Sequence, residues 1–307
     1  MRSVMKKFRI RLILVAATLG VAFGSTFFAA RSSRGQSPAS KDKSRIKPAV
    51  RITEPARTTA AAVFAEAAEQ NATLKDELNW TFGGKQQRGW YLYESLIRST
   101  LKTDHQTTSA EFADSLASWQ KKHALSATGI LDADTLMAMI GQWQGNRIKN
   151  KSYADPSQLI TGPGSDFYDP SRLDELRGVE RETYEAYKKM VAAAIADPAL
   201  DLAHATATEL APKEKYFKII SAFRSREYQD QLRVKSPNAG SAGLAVNSPH
   251  FTGRALDIYV GGDPVDTKDE NRALQVRTPA YQWLVRNAER FGFRPYFYEP
   301  WHWEYVR

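Results

Sequence analysis

The sequence contains no cysteine. That absence excludes disulfide staples, cysteine-ligated zinc ribbons, iron–sulfur clusters, thiol catalysis and a lipidated N-terminal cysteine, so any metal must sit on His, Asp or Glu. A surplus of positive charge over the body of the chain is also missing. The formal net charge is +9, yet residues 1–60 hold 13 Lys+Arg against 2 Asp+Glu, which leaves 30 basic against 32 acidic residues for 61–307. The basicity belongs to the leader and the stretch after it, and a nucleic-acid partner loses its electrostatic footing. What remains is 307 residues, 42% hydrophobic and 25% charged, a globular composition with room for two domains and some linker.

The first segment, 1–30, pairs a basic start (Arg2, Lys6, Lys7, Arg9, Arg11) with an uncharged run from Leu12 to Ala30. A charged n-region before an apolar h-region is read by the secretion machinery, with the basic side kept in the cytoplasm. At nineteen residues the run is just long enough to span a bilayer, so a cleaved signal peptide and a membrane anchor both stay open. Everything after it is expected to be extracytoplasmic, in the periplasm or cell wall. Residues 31–59, rich in Ser, Pro, Lys and Arg, cannot bury enough surface to fold alone and read as a flexible basic linker.

Residues 60–145 carry helical patterning. A weak Ala- and Glu-rich stretch reaches Leu78, then Trp90, Leu92, Leu96, Ile97 and Leu101 fall at helical spacing, followed by Phe112, Leu116 and Trp119. A helix is expected to end near His123, Gly129 to turn the chain, and Asp132 to cap a third helix carrying Thr135, Leu136 and Met139. Trp119-Gln120, Leu125, Gly129, Ile130, Asp132 and Thr135 resemble the peptidoglycan-binding module found beside many cell-wall hydrolases. The resemblance implies a contact with the cell-wall polymer. These residues mostly specify the fold, and a spacer of three helices without ligand is the plainer alternative. Asn146 to Asp169 reads as a second linker.

From 170 to 307 the pattern is α+β. A long helix is expected over Ser171–Ala196, a strand over Tyr216–Phe223, a short helix over Arg224–Leu232, strands at Ala255–Val260 and His302–Val306, and a helix over Pro279–Phe291. Of five histidines, His105, His123 and His204 lack suitable neighbours in sequence. The other two do not. In Ser248-Pro-His-Phe-Thr-Gly-Arg-Ala-Leu-Asp257, strand alternation puts Asp257 opposite the core-facing Leu256 and Ile258, and Gly253 lets the chain bring His250 back towards it. In Glu299-Pro-Trp-His302, Pro300 breaks the alternation and frees Glu299 to reach the same cleft. Two imidazoles and one carboxylate, with a fourth position left to water, are the ligand set of a catalytic zinc. A carboxylate beside them, Glu299, fits the general base and proton shuttle. Arg224, where a strand ends, can hold a terminal carboxylate through two parallel hydrogen bonds. Ser248 can bond a substrate backbone or cap a turn. A serine triad of Ser248, His250 and Asp257 is discounted, because no strained nucleophile turn surrounds the serine.

These residues resemble the VanY-like zinc D,D-carboxypeptidases of the hedgehog/D,D-peptidase fold, with the signature S-x-H-x-x-G-x-A-x-D and, later, E-x-W-H. Ser248, His250, Gly253, Ala255 and Asp257 match the first, and Glu299, Trp301 and His302 the second. Ser221 to Gln229 is similar to the family's S-G-Y-R-S-x-x-x-Q, with Ala222 and Phe223 departing from it. The resemblance implies zinc on His250, Asp257 and His302, Glu299 as base, Arg224 on substrate, and hydrolysis of peptidoglycan stem peptides ending in D-Ala-D-Ala. Two other functions stay in view: an endopeptidase or L,D-cleaving enzyme with the same site, and a wall-binding protein whose peptidase-like domain is inactive.

Overall fold

The computed structural model describes residues 64–235 and 247–306. The leader at 1–30 and the basic linker at 31–59 lie outside the described residues. Among the described residues no helix is long and apolar enough to cross a membrane.

The three helices expected from Trp90 onward are α2 (Glu94–Leu101), α3 (Ala110–Lys122) and α4 (Ala133–Gly145). Before them come α1 (Ala65–Glu77) and a hairpin of β1 (Asn79–Phe82) and β2 (Lys85–Arg88). Ser109 caps α3 by accepting the Phe112 N–H at 3.2 Å, and Asp132 caps α4 by accepting the Thr135 N–H at 2.8 Å. Gly129 turns the chain at φ +71°, and a Cβ there would meet the Ala113 carbonyl oxygen at 2.7 Å. Ile97, Phe112, Leu116, Leu136 and Met139 form the module's interior.

The stretch read as a linker, 146–169, is held on both sides. It contains β3 (Leu159–Thr161), which pairs antiparallel with β4 (Gly178–Glu180). That pairing also shortens the helix expected over Ser171–Ala196. Residues 178–180 are drawn into the two-stranded sheet, and α5 begins at Arg181 and runs to Ile195, with the Glu180 carboxylate accepting the Thr183 N–H at 2.8 Å. A small hairpin of β5 (His204–Thr206) and β6 (Glu209–Leu210) follows.

The C-terminal domain is built on one antiparallel four-stranded sheet of β7 (Ile219–Ser221), β8 (Ala255–Ile258), β9 (Phe293–Pro295) and β10 (His302–Tyr305), in the order β7-β8-β10-β9. The expected strand over Tyr216–Phe223 is only its middle. α6 (Arg226–Lys235) follows β7, and α7 (Asp269–Gln275) lies in the long polar segment after β8. α8 (Pro279–Asn287), with Thr278 as cap and Pro279 at its first turn, continues as a 3-10 turn to Phe291. Every residue of β8 is buried, so both faces of the central strand are covered.

The helical module and the C-terminal domain share one core. The Phe82 and Phe297 rings lie 4.7 Å apart, edge to face, and Tyr93 is 5.4 Å from Phe297. Arg272, 1% exposed, donates to the Tyr93 hydroxyl at 2.8 Å and stacks 4.3 Å over Tyr298. Such aromatic pairs add stability beyond their area.

Candidate metal centre

The centre is assembled by β8, β10 and the turns that lead into them. In the register of the central pair, His302 stands directly opposite Asp257. Opposed residues of an antiparallel pair share a face, so strand pairing alone puts the imidazole against the carboxylate. The His302 Nδ1 to Asp257 Oδ1 distance is 3.0 Å. His250 arrives from the 3-10 turn Pro249–Thr252, which ends at Gly253 in the left-handed region, φ +66°. A Cβ on Gly253 would lie 2.8 Å from Leu159 Cδ2 and 3.0 Å from the Glu180 backbone nitrogen, so the return of the chain needs glycine. His250 Nε2 then sits 3.3 Å from Asp257 Oδ1.

Each imidazole has its other nitrogen committed. His250 Nδ1 lies 2.7 Å from the Ala222 carbonyl, and His302 Nε2 lies 3.1 Å from Glu304 Oε1. A carbonyl and an ionised carboxylate can only accept, so these nitrogens carry a proton in either charge state of the ring, and His250 Nε2 and His302 Nδ1 face Asp257. One ligand atom from each of His250, Asp257 and His302 lies within 4.8 Å of the others, and all three residues are buried. The donor set is two nitrogens and one carboxylate oxygen with both rings oriented from behind, which fits a catalytic zinc.

Arg224 donates from Nη2 to Asp257 Oδ2, from Nε to Ser221 Oγ at 3.0 Å and from Nη1 to Gln229 Oε1 at 3.4 Å. It thereby holds one carboxylate oxygen of Asp257 and leaves Oδ1 to the histidines. Glu299 is fixed by a tight turn, its N–H donating to the Tyr296 carbonyl at 3.0 Å and its own carbonyl accepting the His302 N–H at 2.9 Å. Its Oε2 lies 3.9 Å from His302 Nδ1. The Ser248 hydroxyl accepts the His250 N–H at 3.3 Å, the turn-capping contact.

Burial sets the charges. Glu299 is pushed up to about 7, chiefly by desolvation and further by the Asp257 charge, against the pull of His302. His250 is brought down to about 4 by burial and by the Arg224 charge. Asp257 is buried too, yet His250 and Arg224 hold its carboxyl well below the usual range. Burial works against a charged His302 as well, but its hydrogen bonds to Asp257 and Glu304 carry it up to about 9.

The six residues singled out in the sequence are thus in one cluster. Sequence reading missed the partners behind it: the Ala222 carbonyl, Glu304, Arg147 and the Ile148 N–H. Glu304 had a signal, its place two residues from His302 on the same strand face. Arg147 had none, lying in a polar stretch with no motif.

Residues 177–307 match the family model VanY, D-alanyl-D-alanine carboxypeptidase. The match covers the C-terminal domain and likens it to a carboxypeptidase, a hydrolase. Among solved structures, the chain is similar to one described as the LdcB LD-carboxypeptidase and the molecular basis of its peptidoglycan recognition. The identity is 23%, over 51% of this chain and 71% of that one, with a TM-score of 0.35. No curated protein matches the sequence.

Proposed function

We propose that the chain is an exported, zinc-dependent carboxypeptidase that removes the terminal D-alanine from peptidoglycan stem peptides ending in D-Ala-D-Ala. The observation that carries this reading is the convergence of His250 Nε2, Asp257 Oδ1 and His302 Nδ1 beside a buried carboxylate whose pKa sits near neutrality. His250, Asp257 and His302 would hold the zinc, which when bound supplies Lewis acidity that polarises a carbonyl and acidifies a water.

The remaining chemistry belongs to the chain. Glu299 at Oε2 takes a proton from the attacking water as its oxygen bonds to the scissile carbonyl carbon. The same carboxyl then delivers that proton to the leaving amine as the C–N bond breaks. A base with a pKa near the working pH suits both transfers. Arg224 supplies the cation for the substrate's terminal carboxylate, and Ser248 a hydroxyl for its backbone. Asp257 and Ser221 fix the guanidinium beforehand, which reduces the entropy cost of binding.

The basic and apolar leader supports export, with the peptidase outside the cytoplasm as a soluble or anchored protein. The helical module, 60–145, is proposed to contact wall polymer, raising the concentration of stem peptide at the site.

The test is digestion of defined muropeptides, with and without chelator, followed by mass analysis. Loss of one alanine, abolished by chelator and restored by zinc, is the expected result. A released dipeptide, a split cross-link or cleavage of an L,D bond would assign the same site to another peptidoglycan bond. Intact substrate with zinc-loaded protein would leave a wall-binding protein.

A further inference from the structure

Glu304 is a carboxylate with no exposed surface, behind the ring of His302 and outside the ligand set. An isolated buried carboxylate costs several kcal/mol, so its partners must be sought. They come from two parts of the chain. His302 Nε2 lies 3.1 Å from Oε1, Arg147 donates to Oε1 from Nε at 3.0 Å and Nη2 at 2.5 Å, and the Ile148 N–H donates to Oε2 at 2.8 Å. Charged donors on one side and a backbone N–H on the other make Glu304 the acceptor in each of these bonds.

Arg147 is itself clamped. Its Nη1 donates to Gln144 Oε1 at 2.8 Å, in the last turn of α4, and its guanidinium stacks 3.8 Å over the Tyr296 ring. Tyr296 in turn meets the His302 ring edge to face at 5.9 Å. A path of direct contacts therefore runs from the end of α4 to the ring of a metal ligand.

We propose that Glu304 and Arg147 are positioning residues for the metal centre, Glu304 fixing which nitrogen of His302 faces the metal and Arg147 making that arrangement depend on the docked helical module. This rests on the metallopeptidase reading of the site and adds to it a structural role for the module, whose last helix holds Arg147 through Gln144. With Glu304 committed as acceptor, Nε2 can only donate and Nδ1 is the free ligand atom. Without Arg147, the buried carboxylate loses the guanidinium that holds Oε1.

The experiment compares the full chain with Glu304→Gln and Arg147→Met, measuring zinc affinity by chelator competition, the visible spectrum of the cobalt(II)-substituted protein, and the unfolding midpoint of the metal-free protein. Removing a partner behind a metal-ligating histidine typically weakens affinity about 10- to 100-fold. That loss is expected for Glu304→Gln, with a shifted cobalt spectrum. Arg147→Met should lose less affinity, in the same direction, with a lowered midpoint, because it leaves the buried Glu304 carboxylate without its guanidinium. If Glu304→Gln does not fold, Arg147→Met decides. Zinc affinity and cobalt spectrum equal to wild type in the variants that fold would overturn the inference while leaving the zinc site standing. A wild-type chain that takes up no zinc would overturn the metallopeptidase reading, and this inference with it.

Discussion

Buried polar side chains have different partners in the helical module and in the peptidase domain. In the module they hold the chain's own loop. Asn71 donates to the Gly129 carbonyl at 2.8 Å and accepts the Leu131 N–H at 2.7 Å, while Gln120 accepts the Gly129 N–H and donates to the Ile130 carbonyl, both at 2.9 Å. Neutral amides bonded to backbone satisfy the turn and leave nothing reactive. In the peptidase domain, beside neutral groups such as Gln275 and Thr278, a set of buried ionisable groups face one another: His250, Asp257, His302, Glu299, Glu304 and Arg224. Charged groups are rarely fully buried unless paired, and here their pairing leaves ligand atoms converging on one point. Burial of polar groups is therefore a weak sign of function, whereas burial of several ionisable groups facing each other is a strong one.

The contrast sharpens most with Glu299→Gln. The amide keeps the shape of the carboxylate but cannot take a proton, so kcat should fall by about 10²- to 10⁴-fold, the usual span for general acid–base catalysis. Zinc content and the unfolding midpoint should stay near wild type, because Glu299 is outside the ligand set. Steady-state kinetics on a stem peptide beside elemental analysis checks both. Retained activity would remove Glu299 from the chemistry.

The same contrast explains what could be read in advance. His250, Asp257, Glu299 and His302 were legible because two short motifs fix their spacing and strand alternation fixes Asp257's direction. The Asp132 cap, Gly129 turn and last helix of the module were legible for the same reason, as local signals. The misreadings share the opposite cause. The helix expected from Ser171 starts at Arg181 because residues 178–180 pair with 159–161, a long-range contact that local propensity does not report. Arg147 was invisible because its partner, Glu304, is 157 residues away. The 146–169 stretch reads as a linker by composition, and besides local caps such as Asp155 it is ordered by the pairing of 159–161 with 178–180.

A smaller effect follows from the charge on His302. In the metal-free chain its pKa is raised from 6.5 to about 9 by Asp257 and Glu304. A raised base stabilises the folded state fully below about pH 6.5, and that contribution is lost as pH rises through 9, so the unfolding midpoint of the metal-free chain should receive a falling contribution across this window. Zinc must displace the Nδ1 proton, so its affinity should rise by about tenfold per pH unit over the same range. Calorimetry in buffers of different ionisation enthalpy should register the released proton. No comparable dependence is expected in the module, whose buried partners are neutral amides and hydroxyls.

The smallest effect tests whether the two regions are separable along a single helix. α4 is capped by Asp132, inside the module, and ends two residues before Arg147, which bonds Glu304 behind the His302 ring. Asp132→Ala removes the cap on the Thr135 N–H, a change worth about 1 kcal/mol in folded proteins. The far end of α4 does not depend on that cap: Trp143, 7% exposed, packs into the shared core and donates from Nε1 to the Thr100 hydroxyl at 2.8 Å. Denaturant unfolding should therefore show a loss of about 1 kcal/mol, with kcat and zinc affinity at wild-type values. If zinc affinity fell together with stability, the cap would be acting on Arg147 through the length of α4, and the division between a structural module and a chemical domain would have to be redrawn at the loop before α4.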